Sequence, residues 1–214
     1  MEKTGTIVVK NDWKDLTLGE FIELEQIMKA DIPESYRTVH VLSLLSNHTI
    51  EELENLPMHE FKSLTKNLDF INSTPQYNDV KSIYIINEKS YELKSDIASI
   101  TTAQYMDYQA YMKEKPTDMT KIISCFLIPK GHNYNDGYNM QDVMNDVSFL
   151  PLEDGLGIGF FLVKQLVAYI LILKDYLEKN LKELKMDKNQ TTELITHLDS
   201  MASSLWCLPF AKRQ

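Results

Sequence analysis

The chain has 214 residues, 22 of them basic and 31 acidic, for a formal net charge of −9. Only Arg37 and Arg213 supply guanidinium, which argues against duplex nucleic acid as the main partner, because phosphate binding needs Lys and Arg gathered on one surface. A hydrophobic fraction of 43% with 25% charged residues is that of a soluble globular protein, long enough for one sizeable core or two small ones.

The opening residues, MEKTGTIVVKNDW, hold no apolar run of signal-peptide length, so an intracellular, reducing environment is expected. Cys125 lies inside IISCFLI and Cys207 beside Trp206, and both read as small buried hydrophobes rather than disulfide partners. Residues 5–10 (GTIVVK) predict a short strand. Thr17 and Glu20 then have capping-box spacing for a helix ending near Ala30, with Leu18, Phe21, Leu24, Ile27 and Met28 facing inward. A second helix is expected over residues 35–46, with Tyr36, Val39, Leu42 and Leu45 on its inner face. Thr49 and Glu52 open a one-turn helix, and Pro57 sits in the first turn of a fourth that buries Phe61, Leu64, Leu68 and Ile71. Residues 72–79 (NSTPQYND) have linker composition. They divide the chain into residues 1–75, a strand with a cluster of short helices, and residues 80–214, or else lie within one continuous domain.

From Val80 the pattern alternates. KSIYIINEKSYELKSD reads as a β-hairpin turning at Asn87-Glu88-Lys89, and an isolated hairpin is marginal in water. It is expected to pair with residues 5–10, to pack across a helix, or to reach a neighbouring subunit as an arm. Thr101 and Gln104 cap a helix to about Lys115 that presents Tyr105, Tyr108 and Met112. Residues 118–128 (DMTKIISCFLI) predict another helix, stopped by Pro129. A polar loop (PKGHNYNDGYN) leads to Asn139, which caps a short helix closed by Pro151. A last helix, residues 190–205, offers Leu194, Leu198, Met201 and Leu205.

Residues 155–184 are the longest and most apolar helical stretch. Leu156, Phe160, Val163, Val167, Ile170, Leu177, Leu181 and Leu184 form one seam, with Lys174 filling its one missing place, and Leu162, Leu166, Tyr169, Leu173 and Tyr176 form a second beside it. An apolar arc this wide predicts a helix enclosed by other elements, either within the chain or in an oligomer interface through Phe160, Phe161, Leu166 and Tyr169. Residues 155–173 have bilayer-spanning length, but Lys164 and Gln165 stand mid-run, where a lysine costs on the order of 3 kcal/mol. Lys164, Ala168, Leu171, Asp175, Glu178 and Lys182 mark one wetter, mostly polar edge.

Signatures of chemistry are sparse. Glycines 155, 157 and 159 fall short of a dinucleotide fingerprint, since Phe160 stands where the third glycine belongs and Pro151 interrupts the preceding strand. Their expected purpose is close approach of another backbone. Read as a calcium loop, residues 131–139 would place His132, Tyr134 and Val143 at positions that need oxygen ligands. No His or Cys has zinc-site spacing, and a Cys125–His132 nucleophile pair would lack an orienting third residue. No catalytic, cofactor or metal residues are therefore assigned. The Tyr- and Asn-rich loop carrying His132, Tyr134, Asp136 and Tyr138 reads as a plain structural loop or a partner-contact surface.

Taken together, DWKDLTLGEFIELEQI, LLSNHTIEELENLPMHEF, the YIINEKSYEL hairpin, the TTAQYMDYQAYM helix and ISCFLIPKGHNYNDGY resemble small proteins of tailed phages of Bacteroidetes-type hosts, the crAss-like phages. The resemblance covers about residues 13–150 and is one of layout. It implies a non-enzymatic virion or tail-assembly component, present in the host cytoplasm during assembly and then in the particle, with other virion proteins as partners; the alternative of a homo-oligomer comes from the two seams of the long helix. The fold class expected is mainly α (α+β): two helical clusters around a long central helix, with a small hairpin or sheet. The alternatives are an enzyme using the His132–Asp136 loop, and a membrane-associated protein using residues 155–173.

Overall fold

The computed structural model describes residues 7–96, 99–114 and 118–180, together with Thr192, Glu193, Ile195, Thr196 and Leu198. The order is a 3-10 turn (Trp13–Asp15), α1 (Leu18–Lys29), α2 (Glu34–Ser46), α3 (Ile50–Glu54), α4 (Met58–Thr65), a 3-10 stretch (Lys66–Asn72), β1 (Ile83–Ile86), β2 (Lys89–Leu93), α5 (Thr102–Lys113), α6 (Met119–Ser124), β3 (Leu127–Pro129), α7 (Met140–Ser148) and α8 (Leu152–Asn180). The protein is mainly helical with a small antiparallel sheet.

Local chemistry sets most helix starts. Thr17–Glu20, Thr49–Glu52 and Thr101–Gln104 are complete capping boxes, each satisfying a free N–H at both ends of the motif. Asn139 accepts from the Gln141 amide and Asp118 from that of Thr120. Pro57 stands just before α4, at its N-cap. Asn47 closes α2 in the left-handed conformation, φ 56°.

The strands depart further from expectation. Residues 7–10 pair with no strand among the described residues; the Lys10 amide instead donates to the Leu45 carbonyl. The hairpin pairs instead with β3, in the order β1-β2-β3, with Tyr91 opposite Pro129 and Leu93 opposite Leu127. β3 occupies residues expected to be helical. α6 stops at Ser124 and Leu127–Pro129 extend, because a short run of uninterrupted apolar residues fits a buried strand as well as a helix. The turn Asn87–Glu88 has both residues at positive φ (49° and 65°), the type I′ geometry that matches strand twist. Tyr84, Ile86, Tyr91 and Leu93 face the core, while Ile83 and Ile85 are exposed.

One hydrophobic cluster runs from Val9 to Leu198 and crosses the linker-like segment, and α1 packs on α6, α7 and α8. The approach to α1 and the approach to α8 lie antiparallel: the Leu18 amide donates to Leu150 O (2.8 Å) and that of Leu152 to Leu16 O (2.9 Å). Residues 72–79 are docked rather than loose. Pro75 is buried, Trp13 donates to Ser73, and the Asn78 amide donates to Glu153 O at 3.0 Å. Expected inward positions Met28, Tyr36 and Tyr105 prove exposed, each at the margin of an otherwise buried helix face. On α5, Gln104 takes the inward place and donates to the Cys125 carbonyl.

α8 begins three residues earlier than expected, so its glycines lie inside it. A Cβ on Gly157 would stand 2.2 Å from the Asn78 carbonyl oxygen, and one on Gly155 3.1 Å from Leu18. Close backbone approach is thus what Gly157 permits, while Gly155 makes room for the Leu18 side chain. Residues 181–184 and most of the last helix fall outside the described residues, as do Cys207 and Arg213.

Gly157→Ala is expected to destabilise the protein by about 1–3 kcal/mol, since the obstacle is backbone rather than a side chain that can swing away. Chemical denaturation checks it. Glu88→Gly should stabilise by about 1 kcal/mol in the same assay, because glycine relieves the left-handed strain at the second turn position.

Candidate functional site

The loop between β3 and α7 is organised around itself. Asn135 and Gly137 take positive φ (58° and 76°), and the chain folds back so that His132 Nδ1 lies 2.8 Å from the Asp136 main-chain oxygen. A carbonyl only accepts, so Nδ1 is the donor in this bond. The imidazole stands edge-on to Tyr138 at 5.9 Å, and Tyr138 Oη accepts from the Asn135 amide. His132 and Asp136 are thus neighbours through the backbone, not through the Asp136 carboxylate.

Tyr134 parts company with the other three. It is buried and donates to Asp107 Oδ2 at 2.7 Å, with Cys125 Sγ 4.0 Å away. It therefore anchors the loop to α5 and offers no contact surface. Burial raises the Tyr134 hydroxyl pKa, and its bond to Asp107 adds to the effect. Burial also pushes the Cys125 thiol up to about 12, leaving essentially no thiolate at neutral pH. Among the described residues, no group of three His, Cys, Asp or Glu side chains is placed to hold a metal ion.

Two buried carboxylates organise the polar interior. Asp146, on the inner face of α7, accepts from Asn87 (2.9 Å), from Lys89 (2.7 Å) and from the Tyr91 hydroxyl. All three donors belong to the hairpin. Burial works against the charge, but the Lys89, Tyr91 and Asn87 hydrogen bonds outweigh it and hold the Asp146 pKa below its ordinary value. Asp154, in the first turn of α8, accepts from Asn78 (2.7 Å) and Lys81 (3.0 Å). Neither acid was singled out from the sequence, and one signal was available for Asp146. It stands three residues after Val143 and beside Val147, on the apolar face of a short helix.

The candidate interface residues on α8 divide in two. Phe160 and Leu166 are buried, and Phe160 packs on Tyr77 with ring centroids 4.7 Å apart. Phe161 is half-buried, and Tyr169 is 45% exposed. The first seam stays inward to Leu177, whereas the second is exposed at Tyr169 and Tyr176 and half-buried at Leu173. What emerges is apolar: Leu171 is 53%, Ile172 67% and Tyr176 54% exposed. These residues, rather than Phe160 and Leu166, form the outward surface. By length and composition alone, Leu152–Leu177 would suffice to cross a membrane, but half of its most apolar window is buried in the protein.

No family model matches the chain, and no curated protein or solved structure matches it.

Asp146→Asn should weaken the fold at neutral pH and flatten its acid response. A depressed carboxylate stabilises the fold above its unfolded pKa of about 3.9, and that stabilisation is lost as pH falls through the lower folded value. Denaturation midpoints for the two proteins are therefore expected to differ at pH 7 and to converge below about pH 4.

Proposed function

We propose that this chain is a non-enzymatic structural or assembly protein of a tailed-phage particle, working through protein–protein contact. The observation that carries the reading is the exposed apolar surface on the outer half of α8, where Leu171, Ile172 and Tyr176 stand in water at the end of a helix whose inner half is core. Large apolar side chains gathered on one face are the composition of a contact site. The layout of residues 13–150 supplies the phage assignment. The loop at residues 131–139 fits a supporting part: its tyrosine anchors it, and its histidine is held by a main-chain oxygen.

The test is mass spectrometry of purified particles and assembly intermediates from an infected host. The chain is expected at fixed stoichiometry to a head or tail protein, and its absence from both would overturn the proposal. A double substitution, His132→Ala with Asp136→Ala, should leave incorporation intact. Loss of a measurable catalytic activity from a folded double variant would instead establish the loop as an enzyme's site.

A further inference from the structure

We propose that the outer face of α8 is a twofold interface between two copies of this chain, the two helices running antiparallel with Lys164 of each against Asp175 of the other. The inference rests on the contact reading above and names its partner.

The exposed positions define a single helical face. One stripe is Lys164, Ala168, Leu171 and Asp175; the stripe beside it is Gln165, Tyr169, Ile172 and Tyr176; and Lys179 follows at the end. All are exposed, with the apolar residues central and the charges at the two ends. Lys164 has no hydrogen-bond or ion-pair partner among the described residues, and Asp175 is held only by its exposed helical neighbour Lys179, at 2.7 Å.

The face matches its own reverse. Lys164 and Asp175 are equally far from the point between Tyr169 and Ile170, about 16 Å apart along the axis at 1.5 Å per residue. Crossing two copies antiparallel at that point brings each lysine to an aspartate and each Ala168 to a Leu171, small against large. Within one residue of the same centre, Gln165 meets Tyr176 and Tyr169 meets Ile172. A closed twofold interface uses one patch twice and so requires this self-complementarity. Opposite charges at its ends set the antiparallel direction and exclude the parallel one, which would oppose like charges.

A lipid surface fits less well. The apolar part between the charges is roughly half the hydrocarbon thickness of a bilayer. The helix preceding it is enclosed by the protein through Leu156, Ile158, Leu162 and Val163. An unrelated protein partner would need no symmetry in the charge pattern.

Sedimentation equilibrium on the full chain, from micromolar to millimolar concentration, tests the interface. The wild type is expected to dimerise. Lys164→Asp and Asp175→Lys, each folded by circular dichroism, should each weaken self-association by roughly tenfold, since each converts two symmetry-related attractions into repulsions. An equimolar mixture of the two single variants should recover the dimer, and so should the double variant. Ile172→Arg should abolish it. A wild type that stays monomeric overturns the proposal, as does a dimer whose single variants are not rescued by mixing. Flotation of the wild type, but not of Ile172→Arg, with phosphatidylglycerol-containing vesicles would assign the face to lipid instead. A monomer still found in particles would refute only the interface, and a dimer absent from particles only the phage assignment.

Discussion

The structure depends on what it takes to keep two carboxylates out of water. An ionised acid inside a protein is costly unless every lone pair facing the interior meets a donor. Asp146 and Asp154 meet theirs in a segment that precedes them by more than fifty residues: Asn78 and Lys81 serve Asp154, and Asn87, Lys89 and Tyr91 serve Asp146. The hairpin is thereby pinned at its turn, on its second strand and at its approach. β3 can then add to β2 in one register, with Tyr91 opposite Pro129. The Tyr91 hydroxyl is what ties this network to the core, since the Tyr91 side chain lies within the hydrophobic cluster while its oxygen reaches Asp146.

The same constraint shapes α8. Its first turn is held by the Asp154 network and by the Asn78 carbonyl lying against Gly157, and the paired segments around Leu16 and Leu150 fix the angle at which it enters. With the beginning held, the helix has no freedom to tilt its far half into the core. Twenty-nine residues at 1.5 Å span about 43 Å, more than a core of this size can cover. The inner seam stays inward out to Leu177, and the adjoining one turns to solvent at Tyr169 and Tyr176, with Leu173 half-buried against the core. The exposed apolar face is thus a consequence of length and anchorage together.

Much of this was legible in the sequence, for reasons that are local. A capping box is decided by two side chains three residues apart, and all three predicted boxes form. The hairpin was legible from alternation, although a turn with Glu88 at positive φ lacks the usual glycine. Illegible were the features decided at a distance. Phe126 to Pro129 are apolar whether helical or extended, and only the free edge of β2 makes them a strand. Tyr134 and Asp136 look alike as loop residues, and only the Asp107 carboxylate, twenty-seven positions earlier, separates anchor from surface. The apolar seams of α8 were plain, but where the second would leave the core depended on where its neighbours end.

Net charge bears on how such a face can act. A chain at −9 repels its own copies at long range, although beyond a Debye length of about 8 Å at physiological salt that repulsion is largely screened. Within contact distance the local pattern governs. Among the residues whose side chains are described, the outer face of α8 carries Lys164 and Lys179 against Asp175. An apolar patch in an otherwise acidic surface attracts indiscriminately unless charge at its edges selects the partner and the direction of approach. Lysine at one end and aspartate at the other provide both. In the proposed interface, the residues that lend α8 its specificity are therefore the polar ones that interrupt its hydrophobicity.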